Sequence, residues 1–308
     1  MIKVRVPATT ANLGPGFDTL GLALALYNSI SMRISDDELK ILVEGEGAEF
    51  VPLNQRNIVY RSALKVFEYL QVPVPGLTIH LNNDIPIARG LGSSAAAIIG
   101  GIVAASHLAG QTLTAQQVLY LANQVEGHPD NITPALLGGL TISCLEGDQV
   151  VFIKTEMPAD LKAVVAIPDF QLSTAEARKV LPKAVSLQDA VYNVSRSSLL
   201  VAALMSGKLD VLPTAMSDRL HQPYRARLIP GLEDVFKAGL EAGALGVVIS
   251  GSGPTTIAFA KEGLNPIGTA MQNAFHSHDI PCRILETEVC MTGAHHTQVS
   301  EDDEAVAQ

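Results

Sequence analysis

The stretch Pro86-Ile-Ala-Arg-Gly-Leu-Gly-Ser-Ser-Ala-Ala-Ala97 constrains this chain more than any other. It follows an alternating segment, Leu77–Leu81, that reads as a strand, and a polar turn at Asn82-Asn-Asp84. It opens a run of small and apolar residues, Ser94–Leu108, that reads as a buried helix with Gly110 as its stop. Gly90 and Gly92 let the backbone approach a ligand closely. Ser93 and Ser94 place hydroxyls at the helix entrance, and Ala95, Ala96 and Ala97 leave room beside its axis. Such a helix mouth presents unbonded N–H groups and the positive end of the helix dipole, so it favours an anion. No Gly-Lys-Ser/Thr follows, which excludes a Walker loop, and the glycine spacing is not the dinucleotide fingerprint.

The bulk numbers narrow the partners. The chain has 308 residues, the size of one large or two medium domains. Its formal charge of -10 repels a polyphosphate backbone and argues against nucleic acid. Any anionic ligand must therefore be held by local features: a helix end, a few arginines or a metal ion. Hydrophobic residues make up 47% and Trp is absent, so the core must come from Ala, Val, Leu and Ile. No apolar run reaches the roughly 18 residues of a membrane span, and Met1–Thr10 has no apolar signal core. Cys144, Cys282 and Cys290 have no metal-site spacing and read as free buried thiols of a reducing cytoplasm.

The order of elements is mixed. Lys3–Val6 reads as a strand, Pro7–Gly21 as a turn-rich segment, Leu22–Ile34 as one long strand or two short ones, and Leu39–Val43 as another. Asn57–Leu70 has helical spacing, and Thr114-Ala-Gln-Gln117 is a capping box opening a helix to about Val125. Gly138–Cys144 and Gln149–Lys154 form a hairpin pattern. A linker near Met157-Pro158 precedes a β-α-α-β-β-α-β half, in which Ser173-Thr-Ala-Glu176 is a second capping box. The expected fold class is α+β in two domains, residues 1–155 and 156–291, with an acidic unstructured tail over 292–308.

Two further stretches matter. Pro7-Ala-Thr-Thr-Ala-Asn12-Leu-Gly14-Pro-Gly16-Phe-Asp18 sets Asn12 and Asp18 around a glycine turn, and Ser250-Gly-Ser-Gly-Pro254 is a tight loop between apolar strands. Each alone is ordinary turn chemistry. With Pro86–Ala97, in this order and at these separations, they resemble the GHMP kinase family over residues 2 to about 290. Glu126-Gly-His128-Pro-Asp130-Asn131, Ser173–Pro182 with Arg178, and His221-Gln-Pro-Tyr-Arg225 are similar to the members whose acceptor is L-homoserine. Members with an aspartate base carry Pro-Ser-Gly-x-Asp, where this chain has His-Pro-Asp-Asn.

The resemblance implies an N-terminal domain like domain 2 of ribosomal protein S5, a ferredoxin-like C-terminal domain, and phosphorylation of L-homoserine by ATP in a cytoplasmic homodimer. It makes Pro86, Ile87, Ala88, Arg89, Gly90, Leu91, Gly92, Ser93, Ser94, Ala95 and Ala96 the nucleotide site, with Asn57 either capping its helix or touching the adenine side. Arg178 and Arg225 would fork onto the carboxylate of the amino acid. Asp18 would hold its ammonium, Asn12 its backbone or hydroxyl end, and His128 and Asn131 would line the same pocket. Glu126 would ligate Mg²⁺ with a Ser93 or Ser94 hydroxyl. Asn131, Glu126, Ser94 and Arg178 would carry catalysis by alignment, with no obvious base; Asp130 reads either as part of this group or as a turn residue. The alternatives are a kinase for another small alcohol and a sensor of nucleotide or amino acid without turnover.

Overall fold

Two sheets organise the computed structural model, which describes residues 1–36 and 38–298. In chain order the first part runs β1 (Ile2–Ala11), β2 (Leu20–Ile34), β3 (Leu39–Gly45), α1 (Ile58–Leu70), β4 (Leu77–Asn83), α2 (Ser93–Leu108), α3 (Ala115–Glu126), α4 (Pro129–Leu137), β5 (Leu140–Glu146) and β6 (Gln149–Thr155). The second runs β7 (Lys162–Pro168), α5 (Thr174–Lys179), α6 (Leu187–Ser206), α7 (Leu212–Ala215), α8 (Gln222–Arg225), α9 (Leu232–Glu241), β8 (Gly246–Ile249), β9 (Thr256–Ala260), α10 (Leu264–His276), β10 (Cys282–Glu288) and β11 (His295–Gln298).

The first sheet has the path β11-β1-β2-β4-β3, with β5 and β6 branching from β2. The long β2 makes that branch: Asn28–Ile34 pairs with β4, while Leu20–Leu22 pairs with β5. Helix α2 lies against β1 and β2 with Ala95, Ala96, Ile98, Ile99 and Ile102 all fully buried, and small side chains are what allow this approach. The second sheet is antiparallel in the order β10-β7-β9-β8, the fourth-first-third-second order of a ferredoxin-like unit. Helices α9 and α10 cover it, with Val235, Ile267, Met271 and Phe275 in the core.

Three expectations need correction. The segment from Thr292 is not a tail throughout: β11 pairs antiparallel with β1, from Ile2 opposite Gln298 to Arg5 opposite His295. The return to the first sheet begins earlier still, where the Cys290 N–H donates to the Ala23 carbonyl. Residues 299–308 lie outside the described residues. Second, residues 129–137 form helix α4, for which the sequence reading gave no element; Pro129 starts it and Pro134 sits inside it. Third, Cys144 is exposed, while Cys282 and Cys290 are buried and free as expected.

Candidate active site

The turn into α2 is shaped by glycine. Gly90 and Gly92 have φ of 79° and 70°, and a Cβ on Gly92 would collide with Thr9 Oγ1. No side chain caps α2, so its first-turn N–H groups face outward without an intrahelical partner. The second domain pins this loop. Leu172 N–H donates to the Ala88 carbonyl, Thr255 N–H to that of Arg89, and Ser250 Oγ to that of Gly90. Arg89 itself points to the second domain, where it donates to the Pro168 carbonyl at 2.6 Å and pairs with Asp169 at 3.1 Å.

Beside the loop is a cavity of about 430 Å³. Asn12, Asp18, Asn57, Glu126, His128, Asn131, Arg178 and Arg225 all line it, as do Pro86 to Ser94. Residues far apart in the chain, from Asn12 to Arg225, therefore meet in one place. Ala95 and Ala96 do not line it; their side chains are buried in the core behind the loop. Asn57 resolves as the cap of α1: its Oδ1 accepts from the N–H groups of Val59 and Tyr60, and its Nδ2 donates to the Pro52 carbonyl. That spends the side chain on framework rather than on an adenine contact.

Glu126 ends α3 and accepts a hydrogen bond of 2.9 Å from Ser94 Oγ at the mouth of α2. A carboxylate and a hydroxyl are thus held together where an anion would dock. Both are hard oxygen donors, so the pair fits a divalent cation of the Mg²⁺ kind, which takes few protein ligands. Gly127 turns the chain into α4, and α4 brings His128, Asp130 and Asn131 to the same wall. Asn131 Oδ1 accepts from Thr9 Oγ1 at 2.8 Å. Asp130 is 3% exposed and is no turn residue. Burial, then the charge of Asp18, raises its carboxyl pKa to about 7. Burial also lowers the pKa of His128 below its ordinary value, against the charge of Glu126.

The arginines differ. Arg178, at the end of α5, forms a two-pronged pair with Asp18, Nη2 to Oδ1 at 2.6 Å and Nη1 to Oδ2 at 3.0 Å. The cation expected for a carboxylate and the carboxylate expected for an ammonium here neutralise each other. Arg225 is 1% exposed on α8, and its Nη1 donates to the Gly251 carbonyl at 2.9 Å. Its pKa falls to about 10, through burial first and Arg178 second, so it remains a cation at neutral pH. Its Nη2 has no hydrogen-bond partner among the described residues. The site therefore offers an uncapped helix mouth, a carboxylate–hydroxyl oxygen pair, and a pocket of opposed charges.

Sequence reasoning gave no role to Thr9 or His221, and left Asp130 ambiguous. Each carried a signal. His221 is one helical turn from Arg225, and Asp130 follows a proline at a helix start. Thr9 gave only its place beside the glycine turn.

Comparison with known proteins matches the family descriptions "GHMP kinases N terminal domain" over residues 57–139 and "GHMP kinases C terminal" over residues 200–277. A protein of Moorella thermoacetica named homoserine kinase is 49% identical over 294 residues, 96% of this chain and 99% of its own. A homoserine kinase of Carboxydothermus hydrogenoformans is 47% identical, covering 96% of both chains. The crystal structure of homoserine kinase from Cytophaga hutchinsonii superposes with a TM-score of 0.88 at 33% identity, over 96% of this chain and 97% of that one.

Proposed function

The chain belongs to the GHMP kinase family, and from that premise we propose that it transfers the γ-phosphoryl group of ATP to the side-chain hydroxyl of L-homoserine, giving O-phospho-L-homoserine and ADP. One observation carries the reading: the Arg178–Asp18 pair and buried Arg225 share a cavity with the uncapped mouth of α2. A zwitterionic amino acid presents a carboxylate and an ammonium together. It can exchange the internal pair for two matched partners, the carboxylate on Arg178 and Arg225 and the ammonium on Asp18. Mevalonate lacks the ammonium and would draw Arg178 off Asp18 with nothing to replace it, while galactose lacks both charges and would leave buried Arg225 without a counter-charge.

Backbone N–H groups of Ser93, Ser94 and the following turn receive the phosphates. Ser94 and Glu126 would hold Mg²⁺, which neutralises phosphate charge when bound. Asn131, fixed by Thr9, and Asn12, which donates to the Gly251 carbonyl at 2.8 Å, hold the hydroxyl end in line. Phosphoryl transfer through a loose transition state needs little early proton removal. The proton leaves late, and Asp130, which lines the same cavity and has a carboxyl pKa of about 7, would accept it. In the same proposal the enzyme works in the cytoplasm and as a homodimer; the exposed apolar face of α6 at Leu187, Val191 and Val194 supports the pairing of two copies.

Release of ADP measured with homoserine, mevalonate and galactose tests the reading. Turnover is expected with homoserine alone. Better turnover of either other alcohol would replace the substrate, and ATP binding with no ADP from any would make the chain a sensor. Glu126→Gln is expected to raise the Mg²⁺ concentration for half-maximal rate by roughly tenfold, the scale of one lost charge-assisted contact. An unchanged Mg²⁺ titration removes Glu126 from the metal site.

A further inference from the structure

We propose that His221 is a positioning residue for the amino-acid head group, locking the glycine turn that carries Asn12 and Asp18 to the arginine that receives the carboxylate. The inference rests on the homoserine reading and adds a residue that touches no substrate. His221 is fully buried between the two. Its Nε2 lies 2.7 Å from the Gly14 carbonyl oxygen, which can only accept, so Nε2 carries the proton. That leaves Nδ1 as an acceptor, 3.1 Å from Arg225 Nη1, which can only donate. Both contacts demand the same neutral tautomer. Burial favours it, lowering the pKa to about 4 despite the nearby Asp218 carboxylate.

Both ends of this bridge need holding. In the turn, Asn12, Leu13 and Asp18 sit at φ of 71°, 47° and 55°, a left-handed conformation that non-glycine residues rarely keep unaided. Arg225 is a buried cation whose direction is set by few contacts: His221, the Gly251 carbonyl and the Ala177 carbonyl. Phe17 of the same turn stacks on the His221 ring at 5.2 Å, and both guanidiniums lie 5.4 Å from the Phe17 ring centre. Asp218 fixes the start of α8 by accepting from the N–H groups of Leu220, His221 and Gln222. The ring thus sets the ammonium side of the pocket, from the first domain, against the carboxylate side, from the second. A histidine that only filled space would need neither polar contact.

Steady-state kinetics of the full chain separates these roles. His221→Phe keeps a ring against Phe17 but neither hydrogen bond. It is expected to raise KM for homoserine about tenfold, roughly 1.4 kcal/mol, with KM for ATP within about twofold of wild type. His221→Gln can still donate toward Gly14, and His221→Asn can still accept from Arg225, so each is expected to recover part of the loss. An unchanged homoserine KM, or both KM values rising together, overturns the proposal. If His221→Phe does not fold, the Gln and Asn variants decide by the same split. Wild-type chain assayed alongside tests the substrate itself: no homoserine turnover there sinks the parent reading, whereas normal turnover without the split sinks only the role of His221.

Discussion

Arg178→Leu is expected to lower kcat/KM for homoserine about a hundredfold, near 3 kcal/mol, and to leave KM for ATP close to wild type. The size follows from geometry and exposure. The two-pronged contact with Asp18 is charge-assisted at 2.6 and 3.0 Å, and removing one partner strands the other. Side-chain exposures of 34% and 35% mean that water repays part of that loss, which keeps the figure in the lower part of the range for buried pairs. Arg178→Lys keeps the charge and loses the planar fork, so a fall of about tenfold is expected. The double variant Arg178→Leu with Asp18→Asn is expected to lose less than the sum of the single losses, because neither partner is then left alone. Additive losses would show that the two residues act on the substrate independently. An ATP KM that rises with the homoserine KM would place Arg178 at the phosphates instead.

The phosphate loop was readable because everything it needs is contiguous. A strand, two glycines, two serines and a small-residue helix occupy one stretch, and their physics is local. The capping boxes at Thr114 and Ser173 were readable for the same reason, and both form as written. What escaped was set by distant partners. β11 is a polar four-residue strand, His295-His-Thr-Gln, with no alternation of its own; it exists because β1 leaves an edge to pair with. α4 carries two prolines in nine residues, so propensity argued against it, yet Pro129 occupies the first turn, where a missing N–H does no harm. Arg225 gave no sign of being fully buried, since two of its three acceptors are the carbonyls of Ala177 and Gly251, which no side-chain pattern reveals. Motifs identified most of the residues that line the cavity, Ala95 and Ala96 excepted. Only the fold shows that Arg178 and Asp18 already hold each other, and that Asp130 is desolvated enough for its carboxyl to titrate near neutral pH.

Gly92→Ala is expected to reduce kcat/KM for ATP about a thousandfold, around 4 kcal/mol, the scale of losing preorganised backbone donors at a developing charge. The residue has φ of 70°, which a side chain adopts at about 1–2 kcal/mol. Strain of that size alone would be tolerated. The collision of the new Cβ with Thr9 Oγ1 is what forces movement, because Thr9 is buried in β1 and cannot retreat. Whichever gives way, function suffers: the loop shifts the N–H groups off the phosphates, or Thr9 releases Asn131 and the hydroxyl loses its alignment. Thermal melting separates the local effect from unfolding. The Gly92→Ala protein is expected to melt a few degrees lower, in line with about 1–2 kcal/mol for a chain of this length, and to remain folded at assay temperature. Adding Thr9→Ala removes the obstructing oxygen and is expected to restore part of the melting temperature while homoserine turnover stays low, since Asn131 then lacks its donor. A Gly92→Ala protein with wild-type ATP kinetics would mean that the triphosphate does not dock at the mouth of α2.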